Sequence, residues 1–144
     1  MATSAREPDF LVDTSVAVAL SIADHQFHQA TVDALEGKLL GLSGHAAFES
    51  FSVLTRLPPP VRRPPSVVSR ILATNFPVTR YLSARAAAQL VELLADGEIG
   101  GGSVYDALVG AAAREHGSTL ATLDRRALET YRVLGVDVKV IETV

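Results

Sequence analysis

Short apolar runs alternate with longer helical stripes along this chain. Phe10-Leu11-Val12 stops at Asp13-Thr14-Ser15, which predicts a buried strand running into a helix cap. An apolar helix follows over 16–22, and Asp24-His25-Gln26 interrupts it. A second helix is expected over about 27–35, closed by Gly37, and then a second strand over 38–43. Residues 45–57 have helical spacing, with Phe48, Phe51, Leu54 and Thr55 on one side. Pro58-Pro59-Pro60 ends that helix, because proline cannot continue one. Residues 58–65 hold five of the seven prolines and read as a stiff connector within one domain. A helix over about 66–73 and a short strand near 77–81 come next. Ser83 caps a helix reaching Leu94, with Ala86, Leu90, Leu93 and Leu94 in a stripe that reads as core. After the glycine-rich loop 96–102, Ser103 opens a helix to His116, which Gly117 closes. A strand at 119–121, a short helix over 124–134 and an alternating edge strand at 136–141 complete the chain.

Strand and helix alternate throughout, so the predicted fold is α/β: a mainly parallel central sheet with helices on both faces, in one domain spanning 1–144. Sites in such sheets lie beyond the carboxyl ends of the strands. Asp13 follows the first strand and Asp124 follows the strand at 119–121, so both fall on that edge.

Length and composition narrow the chemistry. The chain has 144 residues and no cysteine, which rules out disulfides and thiolate catalysis. The first ten residues are polar, with Arg6, Glu7 and Asp9, unlike a signal peptide. No stretch is apolar enough to span a bilayer, so a cytoplasmic location is expected. The formal net charge of -3 does not by itself suggest nucleic acid. Lysine occurs only at Lys38 and Lys139, and all other cationic positions are arginine, whose planar fork suits phosphate. Arg56, Arg62, Arg63, Arg70, Arg125 and Arg126 are candidates for phosphate contacts; the alternative is that they are simply solvated.

Four acids stand out, each with a plainer role available. Asp13 and Asp124 can each be a helix N-cap. Glu49 can be a solvated helical residue, although Ala46, Ser52 and Val53 beside it would let it approach a crowded centre. Asp106 stands three after Ser103 in the capping pattern S-x-x-D. Its own helix face carries Val109, Gly110 and Ala113, so it is expected to be partly buried and to need a partner. Several carboxylates in one pocket repel each other unless a cation joins them. Such oxygen ligands suit magnesium or manganese, and such clusters most often handle phosphate esters.

The run FLVDTS, then FESFSVLTRL, VYDALVGAAAREHG and LATLDRR, resembles the four motifs of PIN domains, in order and over nearly the whole chain. The segment around Glu49 is similar to the VapC toxins of bacterial toxin–antitoxin pairs. The resemblance implies a PIN-like three-layer fold and a Mg2+- or Mn2+-dependent endoribonuclease. It also implies a VapB-type antitoxin and a homodimer. Asp13, Glu49, Asp106 and Asp124 carry over as the acidic quartet, with Asp13, Asp106 and Asp124 at the metal and Glu49 orienting or deprotonating the attacking water. Thr14, Ser15 and Thr122 are expected near the acids, and Arg56 near substrate. Some relatives have a further acid just after the fourth; Arg125 and Arg126 stand there instead, which puts a complete second metal site in doubt.

Rival readings remain. A metal-free ribonuclease could use histidine pairs, from His25, His28, His45 and His116, although His116 is better placed at a helix C-terminus and His25 and His28 at the surface. Gly100-Gly101-Gly102 lacks the lysine of a P-loop and reads as a turn. A receiver domain would want adjacent acids after its first strand. The strongest alternative is a non-catalytic PIN-like module that binds RNA or protein.

Overall fold

In the computed structural model, described for residues 6–143, four three-residue strands form one parallel sheet in the order β2-β1-β3-β4. They are β1 (Phe10–Val12), β2 (Leu40–Leu42), β3 (Leu120–Thr122) and β4 (Val138–Val140). Seven helices cover the sheet: α1 (Thr14–Ser21), α2 (His28–Leu35), α3 (Ala46–Thr55), α4 (Pro65–Asn75), α5 (Ala84–Asp96), α6 (Ser103–Glu115) and α7 (Leu128–Val133). A 3-10 turn, Arg125–Ala127, leads into α7.

Both sheet faces are buried, as the continuously apolar strands require. Successive strand residues point to opposite faces. Val12, Leu42 and Ala121 therefore pack with Val16, Leu54, Val68 and Leu72 of α1, α3 and α4. Leu11 and Leu120 pack on the other side with Val109, Ala113 and Tyr131 of α6 and α7. Leu90 of α5 packs outside that layer, against Ala107 and Leu134. The three-layer α/β arrangement predicted from the alternation is present, with β4 at an edge.

Three local expectations change. Residues 77–81 form no full strand, but Val78 and Arg80 donate backbone bonds to Leu40 and Leu42 at 3.3 and 3.1 Å, continuing the sheet beyond β2. This approach needs Gly41, since a Cβ there would lie 2.1 Å from the Val78 carbonyl oxygen. The buried residues of α3 are Ala46, Ser50 and Leu54, while Phe48 is 64% exposed and Phe51 is also exposed. Small residues let α3 sit close to its neighbours, and the phenylalanine rings, too large for that contact, turn outward. The α5 stripe is only part core: Leu90 is buried, but Leu93 is exposed.

Candidate active site

Asp13 leaves β1 at its carboxyl end and caps α1, accepting the Val16 amide at 3.3 Å. The parallel register pairs Val12 with Ala121, which sets Thr122 beside Asp13. The Ser15 and Thr122 hydroxyls both donate to the Asp13 carboxylate. Tyr131 adds a third hydroxyl at 3.0 Å. These four donors fill the acceptor sites of a carboxylate that is buried. Burial raises the Asp13 pKa, and the three hydroxyls and the amide pull it back. The network extends further: Ser15 Oγ accepts from the Leu123 amide at 3.0 Å, and Thr122 Oγ1 from that of Asp124 at 2.9 Å.

Asp124 caps the 3-10 turn, accepting the Arg126 amide at 3.0 Å. The Arg126 side chain then folds back over two acids. Its Nη2 donates to Asp124 at 3.0 Å, and its Nη1 lies 3.2 Å from Asp106 Oδ2. Asp106 Oδ2 is buried and accepts no bond of hydrogen-bond geometry, so Arg126 meets it as a charge. Burial raises the Asp106 pKa and Arg126 opposes it. The two carboxylates in turn raise the pKa of Arg126. The expected S-x-x-D box does not form: Gly102 occupies the N-cap and Ser103 is already helical. Asp106 is turned toward Arg126 instead. The Ser43 hydroxyl, at the end of β2, donates to the Val109 carbonyl at 2.7 Å and ties α6 to the sheet edge.

Glu49 comes from α3, with Oε1 4.0 Å from His45 Nε2. Burial raises its pKa, His45 lowers it, and Asp106 and Asp13 raise it further. All four acids, with Thr14, Ser15, Val109, Arg126 and Tyr131, line one hollow of about 230 Å³. Larger hollows of about 410 and 470 Å³ flank α4, lined mainly by apolar side chains. Among the described residues, no three acids or histidines stand close enough, as placed, to hold a metal ion. The Arg126 guanidinium occupies the space between Asp106 and Asp124.

The remaining candidates lie elsewhere. Arg56 caps the far end of α3 and does not line the hollow. Arg62 donates to the Leu57 carbonyl and Arg63 to the Val61 carbonyl within the proline-rich segment, and Arg125 pairs with Glu142. His25 Nδ1 accepts the Phe27 amide, while His28 Nδ1 lies 2.8 Å from the Ala19 carbonyl oxygen. His116 reaches the Tyr81 carbonyl at 2.8 Å rather than a carbonyl of its own helix. The loop containing Gly100 to Gly102 is not part of the lining. Sequence reasoning misses Tyr131, which no local pattern marks.

A family model described as "PIN domain" matches residues 10–133. The chain belongs to the PIN-domain family. This PIN domain is 46% identical over 134 residues to Ribonuclease VapC27 of Mycobacterium tuberculosis, covering 93% of this chain and 98% of that one. It is 44% identical over 131 residues to Ribonuclease VapC40 of the same organism, covering 90% and 96%. A solved structure, "FitAB bound to IR36 DNA fragment", matches with a TM-score of 0.63 over 91% of this chain and 94% of that chain. Its sequence identity is 17%, so this likeness concerns the fold alone. No helix among the described residues is long and apolar enough to cross a membrane.

Proposed function

We propose that this PIN domain is a metal-dependent endoribonuclease, the toxin of a VapBC toxin–antitoxin pair acting in the cytoplasm. One observation carries the reading: four carboxylates from β1, α3, α6 and the β3 exit share one hollow at the carboxyl edge of the sheet. The two similar ribonucleases support the substrate class.

The donor set fits Mg2+ or Mn2+, which favour carboxylate oxygens. Asp106 Oδ2 is buried without a hydrogen bond, and Asp124 is partly open, so both have acceptor capacity to spare. These two would hold the ion once Arg126 withdraws. Asp13, with its acceptors filled, would act through its hydroxyl shell or a water. The ion, when bound, supplies charge that offsets the crowded carboxylates and polarises the phosphodiester.

Glu49 serves as the general base. Its raised pKa brings it toward the working pH, and its half-open position gives water access. It takes the proton from the attacking water, which adds to phosphorus as the bond to the 3′ oxygen breaks and that oxygen takes a proton from solvent. Sequencing and end-labelling of cleaved RNA should therefore find 5′-phosphate and 3′-hydroxyl ends. A 2′,3′-cyclic phosphate would contradict this route. A VapB-type antitoxin would block the hollow, and the toxin would be a homodimer.

The non-catalytic alternative draws on Arg126, which already pairs with two of the acids. Calorimetry with Mn2+ separates the two, because only the enzyme needs to exchange Arg126 for an ion.

A further inference from the structure

Two stacked aromatic rings stand beside the acidic hollow without lining it, next to Glu49 and Asp106 in the fold. His45 and Tyr105 lie with centroids 5.4 Å apart and planes inclined by 25°. His45 stands one helical turn before Glu49, with its Nε2 4.0 Å from the Glu49 carboxylate. Tyr105 immediately precedes Asp106 in α6 and is 53% exposed. The pair therefore bridges the two helices that deliver Glu49 and Asp106.

His45 also faces Glu49, but among the described residues nothing holds the Tyr105 side chain in place beyond the stack itself. His45 occupies the N-cap of α3 but makes no side-chain capping bond. Among the described residues, neither the His45 ring nitrogens nor the Tyr105 hydroxyl make a hydrogen bond with the protein. An exposed tyrosine supported by a second ring is a flat π surface with a free polar tip. Unpaired nucleobases stack on such surfaces whatever their sequence. The pair stands beside Glu49, at the hollow that the ribonuclease reading assigns to the phosphodiester, and a nucleobase is the flat group that accompanies a phosphodiester.

We propose that His45 and Tyr105 form a stacking platform for the nucleobase next to the scissile phosphate. This rests on the ribonuclease reading above. The base, held flat on Tyr105, fixes the direction in which its phosphate enters the acidic hollow. Phe48 and Tyr81, 6.1 Å apart, carry the row of rings farther from the acids.

The test uses a short single-stranded RNA carrying 2-aminopurine, bound to Asp106→Asn protein so that cleavage does not intervene. Binding should quench the aminopurine. Tyr105→Leu in the same background should weaken binding about tenfold and abolish the quench. Tyr105→Trp should restore both, which a loss of folding would not allow. Equal binding and quenching by Tyr105→Leu, or no quench in the parent, overturns the platform. Sedimentation runs beside it: a dimer that Tyr105→Leu converts to monomer assigns the rings to self-association and also overturns the proposal. Metal-dependent cleavage by protein with Asp106 intact is scored separately. Cleavage without ring dependence removes only the platform. Ring-dependent binding without cleavage removes only the nuclease.

Discussion

Replacing Tyr131 by Phe deletes one buried hydroxyl at the heart of the site. That hydroxyl donates to Asp13 Oδ2 at 3.0 Å from a side chain 1% exposed. Burial and the Asp13 charge push the phenol pKa far up, so it remains a donor at any working pH. A hydrogen bond to a charged group contributes about 1.5–3 kcal/mol net. Asp13 keeps Ser15, Thr122 and the Val16 amide, so the loss should be about 2 kcal/mol near neutral pH. For a domain of this size that lowers Tm by roughly 6 °C. The sign of its pH dependence follows from the bond being stronger to the carboxylate than to the acid. The difference between wild type and variant is largest where Asp13 is ionised, and it shrinks as pH falls through the raised Asp13 pKa. The acid limb of the activity profile should move to higher pH, because one of the groups that lower this pKa is gone. Urea denaturation at a series of pH values reads the first effect and RNA cleavage the second. A loss that is negligible, or that grows toward acid, would refute the reasoning.

Other outcomes follow from the same geometry. Asp13, Glu49 and Asp106 all have pKa values raised chiefly by burial. A raised folded-state pKa contributes stability below the unfolded value and loses it as pH climbs through the folded one. Without metal, Tm should therefore rise as pH falls from neutrality toward the ordinary carboxylate range, and saturating Mg2+ should flatten the slope; a metal-free Tm that falls along the way contradicts the burial argument. Arg126→Ala should cost the metal-free protein less than about 1 kcal/mol, since the guanidinium is largely exposed. The same variant should bind Mn2+ more tightly by calorimetry, and unchanged affinity would mean that Arg126 does not compete with the ion. Gly41→Ala should cost about 3 kcal/mol in urea, because its Cβ must displace the 77–80 backbone; a near-neutral result would show that segment to be easily moved.

The parts of the fold legible in the sequence are those that local pattern encodes. β1 and β3 are apolar runs ending at polar caps, so local pattern alone puts Asp13 and Asp124 on the sheet edge. The inward face of α3 was not legible. Hydrophobic spacing favours Phe48 and Phe51, yet close packing selects Ala46 and Ser50. Ser103 fits a capping pattern, but the pairing of Asp106 with Arg126 is tertiary and leaves Gly102 at the cap. The bond of Tyr131 to Asp13 spans 118 residues, and nothing near either residue announces it. Gly110 prepares that contact, since a Cβ there would lie 3.0 Å from the Tyr131 ring.

The most direct test is cleavage of purified RNA by wild type and Asp106→Asn, each with Mg2+, Mn2+ or chelator. Wild type should cut only when the metal is present, and the substitution should abolish the cutting. Cutting that persists in chelator and in Asp106→Asn would contradict the metal-dependent reading, and would remove Asp106 from the chemistry.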